Sequence, residues 1–111
     1  MKKLFAAFTA VVFMLSASLT AQAGSYNVTV SGMQCYASVS STSVFAYTSA
    51  SGTVTINSTA YNSANNSVGG NGNAANGYAS VNYAASNIHY AVQTHTQTST
   101  GVSETRRQYA Q

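Results

Sequence analysis

The sequence predicts an all-β fold, a small antiparallel sandwich or barrel of about six or seven short strands that follows a cleaved N-terminal signal peptide. Three observations support this prediction. Apolar and polar residues alternate along most of residues 24–111, which is the period of a half-buried strand. Tyr, Val and Thr, which favour strands, are frequent, and proline is absent. Positions rich in glycine, serine and asparagine interrupt the alternation, as turns do in all-β domains.

Residues 1–23 have the three parts of a secretory signal peptide. Met1–Lys3 is positively charged, residues 4–15 are apolar, and Ala21-Gln22-Ala23 is a small-x-small cleavage site. The apolar run is shorter than the roughly 20 residues of a membrane-spanning helix. We therefore expect cleavage after Ala23 and no membrane association afterwards. The predicted location is beyond the inner membrane of a bacterium, where the chain is secreted, held at the cell surface or kept in the periplasm.

Two features of the alternation locate the strands. A polar run at residues 40–43 changes its phase, which fits either a turn or a bulge. The clearest alternation covers residues 53–61, directly after Gly52. The Ala-rich segment that starts at Tyr78 is predicted as strand because Val, Tyr, Asn and Ser are poor helix formers. The predicted strands are 26–30, 35–39, 44–48, 53–61, 78–84, 88–93 and, as an edge strand, 102–109.

The composition changes between Asn62 and Gly77, where Asn, Gly, Ser and Ala dominate. This stretch includes Gly69-Gly70-Asn71-Gly72-Asn73. Such a composition is typical of a flexible loop, and a loop of about 15 residues is often functional. We predict a flexible loop at 62–77 within a single small domain at 24–111.

The chain has almost no charge after the signal peptide. Residues 24–103 contain no charged side chain, and only Glu104, Arg106 and Arg107 follow. The net charge of +3 includes the two lysines of the signal. After removal of the signal peptide, the two arginines and one glutamate that remain form no basic surface for nucleic acid or an anionic membrane. We predict neither as a partner.

Catalysis and metal binding have few candidate groups. Glu104 is the only carboxylate side chain, which excludes paired-carboxylate hydrolysis and an aspartate-oriented triad within one subunit. His89 and His95 match no compact metal-binding spacing with Cys35, so we expect both histidines at the surface. We predict that the protein is not an enzyme, with no catalytic residue, no metal and no cofactor.

The predicted core is thin and the edge strands lack guards. One cysteine cannot form an internal disulfide, and small domains with thin cores are usually stabilised by disulfides, metals or association. Natural β proteins protect edge strands with lysine, proline or inward-pointing charges. No such residue occurs between positions 24 and 103. The chain is therefore predicted to associate with itself, as a homo-oligomer or a filament.

The leading functional prediction is an exported structural or self-associating protein of the cell surface or extracellular matrix. Its edge strands would add to a neighbour's sheet through main-chain hydrogen bonds. An odd cysteine in an exported chain often pairs between molecules, so Cys35 is the candidate for an intermolecular disulfide. The residues assigned to the association contact are Val54, Ile56, Ile88, Tyr90 and Val92.

Two alternatives remain open. The first is a monomeric binding module, an adhesin or carbohydrate binder, in which Tyr47, Tyr61 and Tyr78 stack on surface glycans beside the Asn/Gly-rich loop. The second is a small secreted toxin or bacteriocin, because such chains are also short, exported and rich in strands.

The Ser/Asn/Gly/Tyr-rich composition is similar to that of curlin-type subunits of bacterial amyloid fibres. Gly70, Asn73 and Ala75 fit the Gly-x-x-Asn-x-Ala core of the curlin repeat once. Val68 and Ala79 stand where that repeat has glutamine, and no tandem copies follow. No residue role is carried over from this resemblance.

Overall fold

A computed structural model describes residues 24–110. The signal peptide predicted for residues 1–23 lies outside the described residues. The predicted all-β class is confirmed, with six antiparallel strands in a nearly closed, barrel-like sheet. None of the described residues belongs to a helix that could cross a membrane. The strands are β1 (Ser25–Val30), β2 (Met33–Val39), β3 (Ser43–Tyr61), β4 (Ser67–Ala84), β5 (Tyr90–Gln97) and β6 (Val102–Tyr109).

Strand β3 organises the sheet. On one side it pairs with β4 from Ser43↔Ala84 to Tyr61↔Ser67. On its other side, β2 pairs with its first half and β5 with its second half. Strand β1 then pairs with β2, and β6 pairs with β5. The sheet curls until β1 contacts β6, so the six strands nearly enclose an interior.

Strands β3 and β4 bend at the same level. Their register shifts between Ser49 and Thr53, and glycines with positive φ lie beside the shift, Gly52 at 79° and Gly77 at 85°. Glycine adopts such angles without steric cost, and a register shift of this kind bends a strand pair. The bend places the two halves of each strand in opposite layers. The two strands predicted at 44–48 and 53–61 are therefore one bent strand of 19 residues.

The interior contains two clusters of small apolar side chains. Alanine and valine predominate in both, so the two layers can approach closely. The alternation of apolar residues predicts nine main core positions. Six of them are confirmed as buried, and Val28, Val30 and Val92 are only partly buried. The six are Val39, Val54, Ile56, Val81, Ile88 and Tyr90. The first cluster is Ala37, Ala46, Val54, Ile56, Ala79 and Val81, and the second is Val39, Val44, Ala60, Ile88 and Ala91.

The flexible loop predicted at 62–77 is wrong for most of its length. The connection is only 62–66, where the side-chain Oδ1 of Asn62 accepts the N–H groups of Ala64 and Asn66, each at 3.0 Å. Strand β4 begins at Ser67, and its glycines pair with β3. A Cβ atom on Gly70 would lie 2.8 Å from the Ser58 carbonyl oxygen. Glycine therefore permits close approach of two strands here. A glycine-rich composition is found both in such strands and in loops, so it does not distinguish between them.

Replacing Gly70 by alanine should destabilise the fold. The added Cβ would press on the main chain at Ser58, which cannot move aside as a flexible side chain can. We expect Gly70→Ala to lower the free energy of unfolding by about 1–3 kcal/mol, measured by urea denaturation. Ala74→Val, on the same strand and face, is the control and should change it by less than about 0.5 kcal/mol. Equal stability of both variants would contradict the close approach of β4 to β3.

Candidate functional site

Three strands of the sheet are edges. Strands β1, β4 and β6 each form a ladder with one neighbour only. The other side of each strand has main-chain N–H and C=O groups without a ladder partner, and such groups can pair with another chain. Strand β4 is the longest of the three, with 18 residues against six in β1 and eight in β6.

The β6 edge carries all the charged side chains of the described residues. Glu104 and Arg106 point to the interior, and the Nε atom of Arg106 lies 3.0 Å from Oε2 of Glu104. Arg107 points outward, with its guanidinium 4.6 Å from the centroid of the Tyr90 ring. Inward-pointing charges on an edge strand oppose the addition of a further strand. The charged side chains that protect edge strands, which residues 24–103 lack, are therefore concentrated in the single edge strand β6.

The β1 edge faces β6 across the opening of the barrel. The Tyr26 hydroxyl reaches from β1 to β5, where its oxygen lies 2.6 Å from His95 Nε2 and 3.1 Å from Gln93 Oε1. The Arg106 guanidinium lies 5.7 Å from the centroid of the Tyr26 ring. These contacts hold the β1 and β6 edges against each other, so neither faces open solvent alone.

The β4 edge has no guard. Residues 67–84 include no charged residue and no proline. Five consecutive residues, Gly70 to Ala74, are exposed. Side chains of successive strand residues point to opposite faces, so both faces of β4 are open to solvent in this stretch. A strand of another molecule could approach residues 70–74 of this edge without meeting a charge or a bulky side chain.

An aromatic row crosses the outer face of β2, β3 and β4 and ends at the free edge. Its members are Tyr36, Phe45, Tyr47 and Tyr78. The Tyr36 and Tyr47 rings stack with centroids 5.2 Å apart, and Tyr78 lies 5.1 Å from Tyr47. Stacked rings cover each other's faces. Tyr78, the last ring, is 48 % exposed and leaves an aromatic surface at the unguarded edge.

The three tyrosines predicted to bind a ligand do not form one surface. Tyr47 and Tyr78 belong to the aromatic row. Tyr61 lies beyond the bend of β3, where it stacks on Tyr90 with centroids 5.0 Å apart. A single glycan site therefore has at most the first two of the predicted residues.

The residues predicted for self-association do not lie on free edges. Val54 and Ile56 are fully buried in β3, which is paired on both sides. Tyr90 and Val92 lie in β5, between β3 and β6, and Ile88 is buried in the preceding connection. The edge placement predicted for these strands is wrong, because an apolar alternating pattern marks burial and the edge depends on which strands become neighbours.

Cys35 is fully buried in β2. Burial raises the pKa of its thiol to about 12, and the negative charge of Glu104 acts in the same direction. The thiol is therefore protonated at neutral pH and out of reach of a second molecule. The intermolecular disulfide predicted at Cys35 does not fit the folded chain. Within residues 24–110 no three histidine, cysteine or acidic side chains converge on a metal site.

His95 is buried, contrary to the surface position predicted for it. Its Nδ1 atom lies 2.9 Å from the hydroxyl of Thr48, and that hydroxyl donates to the Thr55 carbonyl at 2.8 Å. On the other side of the ring, Nε2 lies 2.6 Å from the Tyr26 hydroxyl oxygen, so each ring nitrogen has a hydroxyl partner. Burial lowers the pKa of His95 to about 4; a hydrogen bond with the main chain of Tyr47 opposes this shift, and the nearby charge of Arg106 adds to it. Both ring nitrogens are occupied, which leaves none for a substrate or a metal.

Sequence reasoning assigned the wrong face of β5 to the interior. The buried side chains Gln93, His95 and Gln97 alternate with half-buried Val92 and its polar neighbours. Gln93 donates to the Ser58 hydroxyl at 3.2 Å, and Gln97 donates to the Ser51 carbonyl at 2.8 Å. These partners lie on β3, far away in sequence. Their hydrogen bonds compensate for the loss of water around the polar side chains that β5 buries inside the barrel.

Comparisons of the chain with models of known families, with curated proteins and with solved structures found no match.

The burial of His95 predicts an acid-sensitive fold. Above pH 6.5, the ordinary pKa of histidine, the ring is neutral in both states and its contribution to stability is complete. As the pH falls to about 4, the unfolded chain binds a proton that the folded chain does not. We expect a loss of about 3 kcal/mol over this window, measured by urea denaturation at each pH. His95→Gln should flatten the dependence, whereas His89→Gln at the exposed position should preserve it.

The burial of Cys35 predicts an unreactive thiol. With its pKa at about 12 against an ordinary value of 9.0, the thiolate fraction near neutral pH is about 1000-fold lower than in the unfolded chain. A thiol reagent should label the protein slowly until denaturant is added, and non-reducing electrophoresis should show one chain. A disulfide-linked dimer in the freshly purified protein would contradict this placement of Cys35.

Proposed function

We propose that this chain is an exported structural protein that associates with itself by strand addition at the free edge of β4. The observation that carries the proposal is an 18-residue edge strand that has a ladder partner on one side and neither charge nor proline along its length. In a protein that functions as a monomer, such an edge would promote unwanted association. In an exported structural component it is the means of assembly.

Main-chain hydrogen bonds would supply the affinity. Each contributes about 0.5–1.5 kcal/mol net, and a pairing along much of β4 adds many of them. The edge is uncharged, so two copies meet without repulsion. Tyr78 stands half-exposed at this edge and can stack on a side chain of the added strand, as cross-strand aromatic pairs do.

The interior supports a role without catalysis. The thiol of Cys35 is protonated and buried, and His95 is neutral with both nitrogens engaged. A cysteine nucleophile requires a thiolate and an available base. The ionisable side chains in the barrel serve packing and hydrogen bonding, which fits a structural component at the cell surface or in the extracellular matrix.

Glycan binding is the second candidate. It is favoured by one observation, the half-exposed ring of Tyr78 beside Tyr47 at an uncharged surface. An exposed aromatic face can stack on a sugar ring, and serine and asparagine neighbours offer hydrogen bonds. The stacking within the aromatic row leaves little more than this one face free, which makes the candidate weaker than strand addition.

A lysine on the β4 edge should weaken association. Ala74 is an exposed residue of that edge, and lysine there would place a charged side chain against the added strand, as natural edge guards do. We expect Ala74→Lys to raise the dissociation constant at least about tenfold, the equivalent of 1.4 kcal/mol, measured by sedimentation equilibrium of the exported chain. Thr29→Lys, on the exposed face of the β1 edge, is the matched control and should behave as the parent.

Two outcomes would overturn the proposal. A parent protein that remains monomeric at every concentration would reject self-association, and Tyr78→Ala would then be tested for loss of glycan binding. Equal weakening by both lysine variants would show that β4 is not the associating edge.

A further inference from the structure

We infer that association stops at a closed, two-fold dimer in which the segment 67–76 of β4 pairs antiparallel with that of a second copy, with residues 68–76 opposed to one another. This inference rests on the proposed function, because it specifies the partner and the symmetry of that same edge.

The number of open edges limits growth. A filament built by strand addition needs two compatible edges on each molecule, one to receive a strand and one to offer it. The β1 and β6 edges face each other through Tyr26 and Arg106, and β6 carries inward charges. Only β4 remains open. An edge that pairs with its own copy about a two-fold axis uses the exposed stretch Gly70 to Ala74 of both molecules, which leaves no equivalent exposed stretch for a third copy, so the assembly closes.

The bend divides the β4 edge into two arms. The first arm, 67–76, includes the five consecutive exposed residues from Gly70 to Ala74. Ten residues of strand extend about 33 Å, which is long enough for a continuous ladder. Each arm has one main-chain group in a hydrogen bond with a side chain, the Gly72 N–H in the first arm and the Ser80 carbonyl in the second arm, 78–84. The arms differ in exposure, because Ala79 and Val81 of the second arm are buried and no residue of the first arm is. The first arm is therefore the better partner for a second copy.

The groups at the centre of the first arm are complementary to themselves. Asn71 and Asn73 flank Gly72, and an amide side chain both donates and accepts hydrogen bonds. At present the Gly72 N–H donates to Asn71 Oδ1 at 2.8 Å, a bond within one strand. A two-fold axis at Gly72 would oppose Asn71 of one copy to Asn73 of the other. Two like amides can bond across such an axis, whereas two like charges cannot.

The test combines mass with cross-linking. Multi-angle light scattering of the exported chain over a concentration series should show the mass rising from one chain to two and no further. Opposed residues in an antiparallel ladder have Cα atoms about 4.5–5.5 Å apart, which is within disulfide range. The double variant Asn71→Cys with Asn73→Cys should therefore give a covalent dimer under mild oxidation. The matched control, Ser80→Cys with Asn82→Cys on the second arm, should not.

Each result separates the inference from the proposal that it rests on. A mass of two chains together with cross-linking in the first arm supports both. A mass that keeps rising with concentration would overturn the closed dimer and leave self-association standing. A two-chain mass in which the control pair cross-links, or neither pair does, would overturn the assignment to residues 67–76. A single-chain mass at every concentration would overturn the proposed function itself.

Discussion

The pairing of β3 with β4 is the interaction on which the rest of the structure depends. Both strands are long, and they bend together where Gly52 and Gly77 relieve the backbone. Each half of β3 then has a free side, which β2 occupies in one layer and β5 in the other. Without this bent pair, the two outer hairpins would have no common strand to join. The same arrangement leaves the far side of β4 unpaired, so the open edge is a direct result of the architecture.

Hydrogen bonds complement a core that has few large apolar side chains. The chain of contacts from Thr48 through His95 to Tyr26 links β3, β5 and β1 across the interior. A slip of one residue in β5 would turn His95 outward and break both of its contacts. Buried polar groups destabilise the fold unless they are paired. The hydrogen bonds of His95 with Thr48 and Tyr26 therefore destabilise a shifted register by more free energy than the loss of contacts between small alanine side chains would. The cost of the arrangement is sensitivity to acid, since the interior cannot accommodate an imidazolium ion well.

The local alternation of residues was sufficient to predict most strands, but it was not sufficient to predict which strand forms the open edge or which polar residues are buried. The alternation around Val54 and Ile56 identified a buried strand because its period is a property of a few adjacent residues. The glycines of β4 could not be separated from a loop, because their function is a close approach to Ser58 in a distant segment. The burial of His95 depends on Tyr26, almost 70 positions earlier. Which strand becomes an edge is a property of the whole topology, and no local pattern contains it.

The position of the charges in the sequence also sets an order in time. The β3–β4 hairpin is closed by a short connection at 62–66, so its innermost contacts are local and form early. Strand β6, which carries Glu104, Arg106 and Arg107, follows this hairpin in the chain and is the last of the described strands to be synthesised. The β4 edge is therefore complete before the charged strand joins the sheet, and the charges of β6 have no influence on the first contacts that this edge makes.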